Sequence, residues 1–292
     1  MYFIQLLIPG LVLGSIYGLI ALGYSLIYKA SGLMSFMQGD VMTLGAFLGL
    51  TFYSILKLPF IVSVLLTVAL MFLLGLALEK GVIRPLLNKN VMAIYIVLAT
   101  IAISYIIQNG AQAIWGSMPL YFPSVFSKLS INIAGLSIQP EYVMCLGVSL
   151  FCMVVLHFFM TKTKLGTSMR ASAMDSMAAE ACGIDVSLST GITWGLSAAF
   201  AAIAGILLGP IYGVFITLGA TIGRKGFSAA VIGGYGNMYG AIVGGLLLGV
   251  VETMAAAYIS SAYKNLVAYV ILLIFLFVKP TGIFNEQAIQ DV

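Results

Sequence analysis

Long stretches of this chain carry no charged side chain, and their lengths decide what it can fold into. They cover residues 1–28, 58–78, 90–127, 142–161, 186–223 and 226–251. A bilayer core of about 30 Å needs roughly 20 helical residues per crossing, so several of these stretches hold a crossing plus a turn. Only 8% of all residues are charged, where a soluble domain has roughly 25%, too few to cover a surface facing water. The length rule predicts an all-α, polytopic membrane protein with about eight transmembrane helices in a single domain, 1–292. The first stretch has no Lys or Arg ahead of it and is far longer than a signal h-region, so it is expected to stay as a membrane segment.

Chemistry is sparse. Cys145, Cys152 and Cys182 have no paired or metal-ligand spacing and are read as small buried hydrophobes. No constellation of His, Cys, Asp or Glu points to catalysis, so no catalytic residue, metal or cofactor is expected and the chain is not read as an enzyme. The net charge of +4 is scattered along the chain, which excludes a nucleic-acid stripe. His157 is assigned no role.

The remaining cations orient the segments. Lys29, the group Lys80, Arg84 and Lys89, and the group Lys162, Lys164 and Arg170 fall in alternate connections. Lys57 and Lys128 are alone on the other side. The N-terminus is therefore expected outside and the loop 164–190 in the cytoplasm. In the external connection, Trp115, Tyr121 and Phe122 suit an interfacial belt, and Pro119 and Pro123 oppose a regular helix. Arg224 and Lys225 break the pattern: either the rule fails there, or part of 216–239 dips in without crossing, and the side of the C-terminus stays open.

Glycine gives the second pattern. Gly10, Gly14 and Gly18, Gly45 and Gly49, Gly205 and Gly209, and Gly236, Gly240 and Gly244 recur at every fourth residue. That spacing lines one helix face with small residues, for tight packing in lipid. Gly233, Gly234 and Gly236 interrupt a helix outright and are candidates for a broken or re-entrant segment facing a solute. In the loop KLGTSMRASAMDSMAAEACGIDVSLST, Asp175 suits an N-cap, 176–182 a short helix and Gly183 its C′ position. Two turns of helix are unstable alone and must dock on something.

At this point the sequence resembles a known family, the permease subunits of bacterial ABC importers for branched-chain amino acids, and within it the smaller of the two membrane subunits. The resemblance is carried in order by GLVLGSIYGLIALGYSLIY, GLMSFMQGDVMTLGAF, MRASAMDSMAAEACGI, FSAAVIGGYGNMYGAIVGGLLLGVVE and YKNLVAYVILLIFLFVKPTGIF. It implies that Asp175, Ala178, Ala179, Glu180, Ala181, Gly183 and Ile184 form the coupling helix that meets an ATP-binding subunit. It also implies a second permease subunit, as a heterodimer, a solute-binding protein outside, and a place in the bacterial inner membrane. The chain has no G-x-x-x-x-G-K-[ST] loop, so ATP binding of the P-loop kind belongs to another chain. Where the family reads asparagine-phenylalanine-alanine-histidine-glycine, this chain has Ser35, Phe36, Met37, Gln38 and Gly39. The departure leaves urea, amides or a sugar open beside a neutral amino acid.

The candidate path consists of Gly233, Gly234 and Gly236, opposed by Gln38 and Asp40, although Asp40 can also be read as a helix cap. Glu252 is read as an interface, headgroup or path residue. The competing classes are an ion-coupled secondary transporter, which requires intramembrane acids, and a scaffold that transports nothing.

Overall fold

Backbone amides in lipid must be satisfied within the protein, and helices do this segment by segment. The computed structural model describes residues 2–89, 91–123, 131–133 and 136–284. Along the first half run α1 (Tyr2–Ser31), α2 (Gln38–Leu50), α3 (Phe60–Leu78), α4 (Arg84–Asn88), α5 (Ala93–Trp115) and α6 (Pro140–Lys162). The second half adds α7 (Lys164–Met174), α8 (Ser176–Ala181), α9 (Val186–Tyr212), α10 (Leu218–Gly233), α11 (Met238–Tyr258) and α12 (Lys264–Val278). A small antiparallel hairpin, Ile131–Ile133 with Leu136–Ile138, lies in the connection between α5 and α6.

Among the described residues, seven helical runs are long and apolar enough to cross a membrane. The other two helices of the bundle, α2 and α10, are shorter, yet most of their residues are buried. With α1 and α9 they form the centre, while α3, α5, α6 and α12 turn most of their surface outward.

Glycine sets the distances between these helices. A Cβ on Gly14 would sit 2.7 Å from the Leu246 Cα, and one on Gly10 would sit 3.0 Å from the Val250 Cα. Those contacts make α1 and α11 antiparallel and place them backbone to backbone. Gly45 faces Ala202, Gly49 faces Ile206, and Gly205 faces the Met42 carbonyl, which brings α2 equally close to α9. The four-residue spacing thus packs helices, as expected. Gly236 is the departure, because it sits in a turn.

The helix directions define two ends. Phe36 N–H donates to Thr100 Oγ1, Ser104 to Asp40, and Trp115 Nε1 to Thr51 Oγ1, each across 64 residues, so α2 and α5 run parallel. At one end Leu120 and Val214 exchange backbone hydrogen bonds. There Tyr121 is exposed, but Phe122 is buried against Gly209 and Trp115 stacks on Phe47, so two of the three expected belt residues pack inward. Lys128 lies outside the described residues. At the other end α7 packs against α1 and α9, close to α8. Ile283 N–H and Phe284 N–H donate to the carbonyls of Ile232 and Gly233, which brings the chain after α12 to that same end.

The anomaly at Arg224 and Lys225 has a physical cause: neither is in a loop. Both lie within α10, where Lys225 Nζ is 2.5 Å from Glu252 Oε1 of α11. Tyr17 of α1 donates to the other Glu252 oxygen at 2.9 Å, and all three side chains are buried. One ion pair therefore ties α1, α10 and α11 together. Glu252 belongs to this internal contact.

Gly14→Leu is expected to prevent α1 from seating on α11, with overpacking costing about 1–3 kcal/mol or more. Gly147→Ala, where nothing lies within 4 Å, should leave the protein unchanged. Size-exclusion profiles and melting in detergent compare them. Lys225→Met alone strands a buried carboxylate and should cost about 3–5 kcal/mol, whereas Lys225→Met with Glu252→Met should recover most of the loss. Equal melting of the single and double variants would show that the pair is not coupled.

Candidate functional site

Where α6 ends, Thr163 accepts a hydrogen bond from Gly166 N–H at 3.0 Å and starts α7. Gly166 lies directly on the backbone of Phe159 and Met160, a closeness that a side chain would prevent, so α7 folds back along the end of α6. This helix went unread in the sequence, although Thr163 three residues before Gly166 is an N-cap signal. Ser172 is buried against the bundle.

The next helix follows the sequence closely. Asp175 accepts from Ala178 N–H at 2.9 Å and caps α8. Gly183 takes φ +80°, and Ile184 N–H closes on the Ala179 carbonyl at 3.0 Å. Ala179 is buried, Ile184 is half-buried, and Asp175, Ala178, Glu180, Ala181 and Gly183 are exposed. Beside them Met174 and Met177 are 75% and 80% exposed, flexible apolar side chains of the kind that fill a partner's groove. Cys182, expected to be buried like Cys145 and Cys152, is exposed at the end of α8. Residues 186–190 belong to α9 rather than to the connection.

Two links join α8 to the bundle. Asp185 caps α9 by accepting from Leu188 N–H at 2.9 Å. Two residues on, the Ser187 carbonyl accepts from Arg84 at 2.7 Å, and Arg84 holds Glu79 through two nitrogens at 3.1 and 2.7 Å. The chain from α8 thus runs straight into α9, whose first turn is tied by Arg84 to Glu79, the residue after α3. A further tie unread in the sequence joins His157 Nδ1 of α6 to Tyr239 OH of α11 at 2.7 Å.

Deeper in the bundle, Gln38 opens α2 and donates to the Ser197 carbonyl of α9 at 2.8 Å, while Ser197 donates to the Gly23 carbonyl at 2.9 Å. Asp40 does not cap its helix. Met37 occupies the N-cap without a side-chain bond, and Asp40 instead accepts from Ser104 of α5, its other oxygen buried without a partner. Gly39, between them, meets Gly219 and Gly223 of α10.

The glycine cluster lies elsewhere. Gly233 rests on the Gly240 carbonyl, Gly234 and Gly236 adopt φ +113° and +94°, and Gly282 and Phe284 close over Gly234. Tyr235 stacks edge-on against Tyr28 with ring centroids 4.7 Å apart. The turn is thus at the α8 end, while Gly23, beside Gln38, is roughly 7 Å further along α1 at the rise of a helix. Neither Gln38 nor Asp40 is among the atoms packed on Gly233 and Gly234.

The comparisons agree with this architecture. The family model for the branched-chain amino acid transport system permease component matches residues 6–276. The high-affinity branched-chain amino acid transport system permease protein LivH of Salmonella typhimurium is 34% identical, with 100% of this chain and 98% of that protein aligned. BraD of Pseudomonas aeruginosa, described in the same words, is 33% identical over the same shares. Among solved structures, PsaBC from Streptococcus pneumoniae in complex with Fab superposes with a TM-score of 0.52 at 15% identity, covering 96% of this chain and 93% of that one, a likeness of fold. Matched along nearly its whole length by sequence, this multi-pass membrane protein belongs to the branched-chain amino acid transport permease family.

Proposed function

We propose that the chain is the permease subunit of a binding-protein-dependent ABC importer and forms the translocation pathway for branched-chain or other neutral amino acids. The observation that carries this reading is the family match over residues 6–276. In this reading ATP-binding subunits supply hydrolysis, a solute-binding protein delivers the solute from outside, and a second, non-identical permease completes the pathway. The protein sits in the bacterial inner membrane with its N-terminus outside and α8 in the cytoplasm. The gathering of Lys29, Arg84, Lys162 and Arg170 toward the α8 end supports that orientation.

The mechanism follows from the contacts. Asp175, Ala178, Ala179, Glu180, Ala181, Gly183 and Ile184 form the coupling helix, with Met174 and Met177 entering the partner's cleft. Closure of the ATP-binding subunits moves α8, and the movement passes into α9 through Asp185 and into α3 through Arg84. Because α9 carries Ser197, it reaches Gln38 at the start of α2 without an intermediary. Gln38 and Asp40 then border the path, and the turn at Gly233, Gly234 and Gly236 gives α10 a pliable end. Glu252 is already neutralised by Lys225, so an ion-coupled carrier would have to use Asp40, whose second oxygen is buried without a partner; dependence of uptake on ATP separates the two readings.

Proteoliposomes containing the complex with its partner subunits should take up leucine only with ATP and binding protein. Uptake of urea, an amide or a sugar in its place would move the protein to another branch, and uptake without ATP would overturn the reading. Gly183→Pro, which cannot hold φ +80°, and Glu180→Arg should each lower solute-stimulated ATP hydrolysis by about tenfold, the effect of roughly 1.4 kcal/mol at an interface. Unchanged hydrolysis in both would make α8 a mere connection. The native Cys182 reports topology: an impermeant maleimide should label it in permeabilised cells and not in intact ones.

A further inference from the structure

Arg224 occupies the middle of α10 and is exposed, although both of its neighbours are buried: Gly223 against Gly39, and Lys225 in its ion pair. Its Nε donates to the Ala220 carbonyl at 2.8 Å, one turn back along the same helix. That bond draws the guanidinium back along α10 to its first turn, on the side of the end where Leu120 meets Val214. No carboxylate pairs with Arg224 among the described residues. An arginine facing lipid at mid-helix costs about 2.5–3.5 kcal/mol even on the mildest scale, and such residues face protein or water. This face of α10 is therefore covered by something other than lipid.

The surroundings indicate what covers it. Phe227 follows on the same face of α10, with its ring 5.6 Å from Phe36, a residue 42% exposed at the approach to α2, and 5.7 Å from Tyr24. A fork of donors that matches a carboxylate, drawn back to Ala220, thus stands about two turns, roughly 10 Å, from a partly open aromatic wall. A zwitterion with an apolar side chain presents both counterparts on one small molecule. We propose that Arg224 binds the carboxylate of the transported amino acid in a water-filled path along the exposed face of α10, with Phe36 and Phe227 receiving its apolar side chain. The assignment rests on the amino-acid permease reading above and adds to it the residue that recognises the charged end of the solute.

The test uses the reconstituted complex with its partner subunits. In a Cys182→Ser background, where the other cysteines, Cys145 and Cys152, are buried, Arg224→Cys should react with a small water-soluble thiosulfonate. Leucine supplied on the binding protein during turnover should slow that reaction severalfold. Arg224→Gln should reduce leucine uptake at saturating binding protein by about tenfold or more, and Arg224→Lys, which keeps the charge but not the fork, should fall between. An unreactive thiol in the assembled Arg224→Cys complex, or normal uptake by Arg224→Gln, overturns the assignment. Failure of all three variants to assemble does the same, placing Arg224 in a subunit contact. If the unaltered complex moves no amino acid at all, the permease reading fails and this assignment with it. Leucine uptake by the unaltered complex, together with an inert thiol in Arg224→Cys, removes only the assignment.

Discussion

Within a bilayer the hydrophobic effect cannot gather helices, because lipid chains are as apolar as leucine. What gathers them here is backbone brought against backbone, and the contact of α1 with α11 through Gly10, Gly14, Gly245 and Gly249 is the one on which the rest is built. It fixes the antiparallel pair, and the pair leaves a groove for α10. At that spacing dispersion acts over the full length of two helices, each atom contributing little and the sum a great deal. The ion pair of Lys225 with Glu252 then selects the register of α10 in the groove, since any slip along the helix would separate two buried charges.

Much of this was legible in the residues. The uncharged runs became helices, the four-residue glycine rows became contact faces, and Asp175 and Gly183 bounded α8 almost to the residue. Local chemistry decides each of those features: solvent, side-chain size and the caps of one short helix. The features that escaped are products of tertiary pairing. Nothing adjacent to Lys225 in the chain announces Glu252, so a cation rule designed for loops counted an internal residue as an external one. Asp40 resembled a helix cap because it stands in the first turn, yet its partner, Ser104, comes from a helix 64 residues away.

The candidate path shows the same division. Three glycines in four residues announced an interruption correctly, but not its depth, because depth is set by what packs on the turn. Here Tyr28 and the segment at Gly282 occupy it. Gln38 was singled out for its departure from a family pattern, and its hydrogen bond to Ser197 adds a polar tie to the glycine contacts between α9 and α2. A polar side chain at a helix start, in contact with the helix that follows α8, couples the two ends of the proposed mechanism through a single carbonyl.

The last described residues have a consequence for the order in which the molecule is completed. The carbonyls of Ile232 and Gly233, which end α10, are capped by the amides of Ile283 and Phe284. Those amides do not exist until α12 has been synthesised. While α10 and α11 first enter the bilayer, that helix end must find other donors, either lipid headgroups or water. The central bundle therefore reaches its final hydrogen bonding only after α12 has been made, and a nascent chain stalled after α11 carries an open helix end on α10.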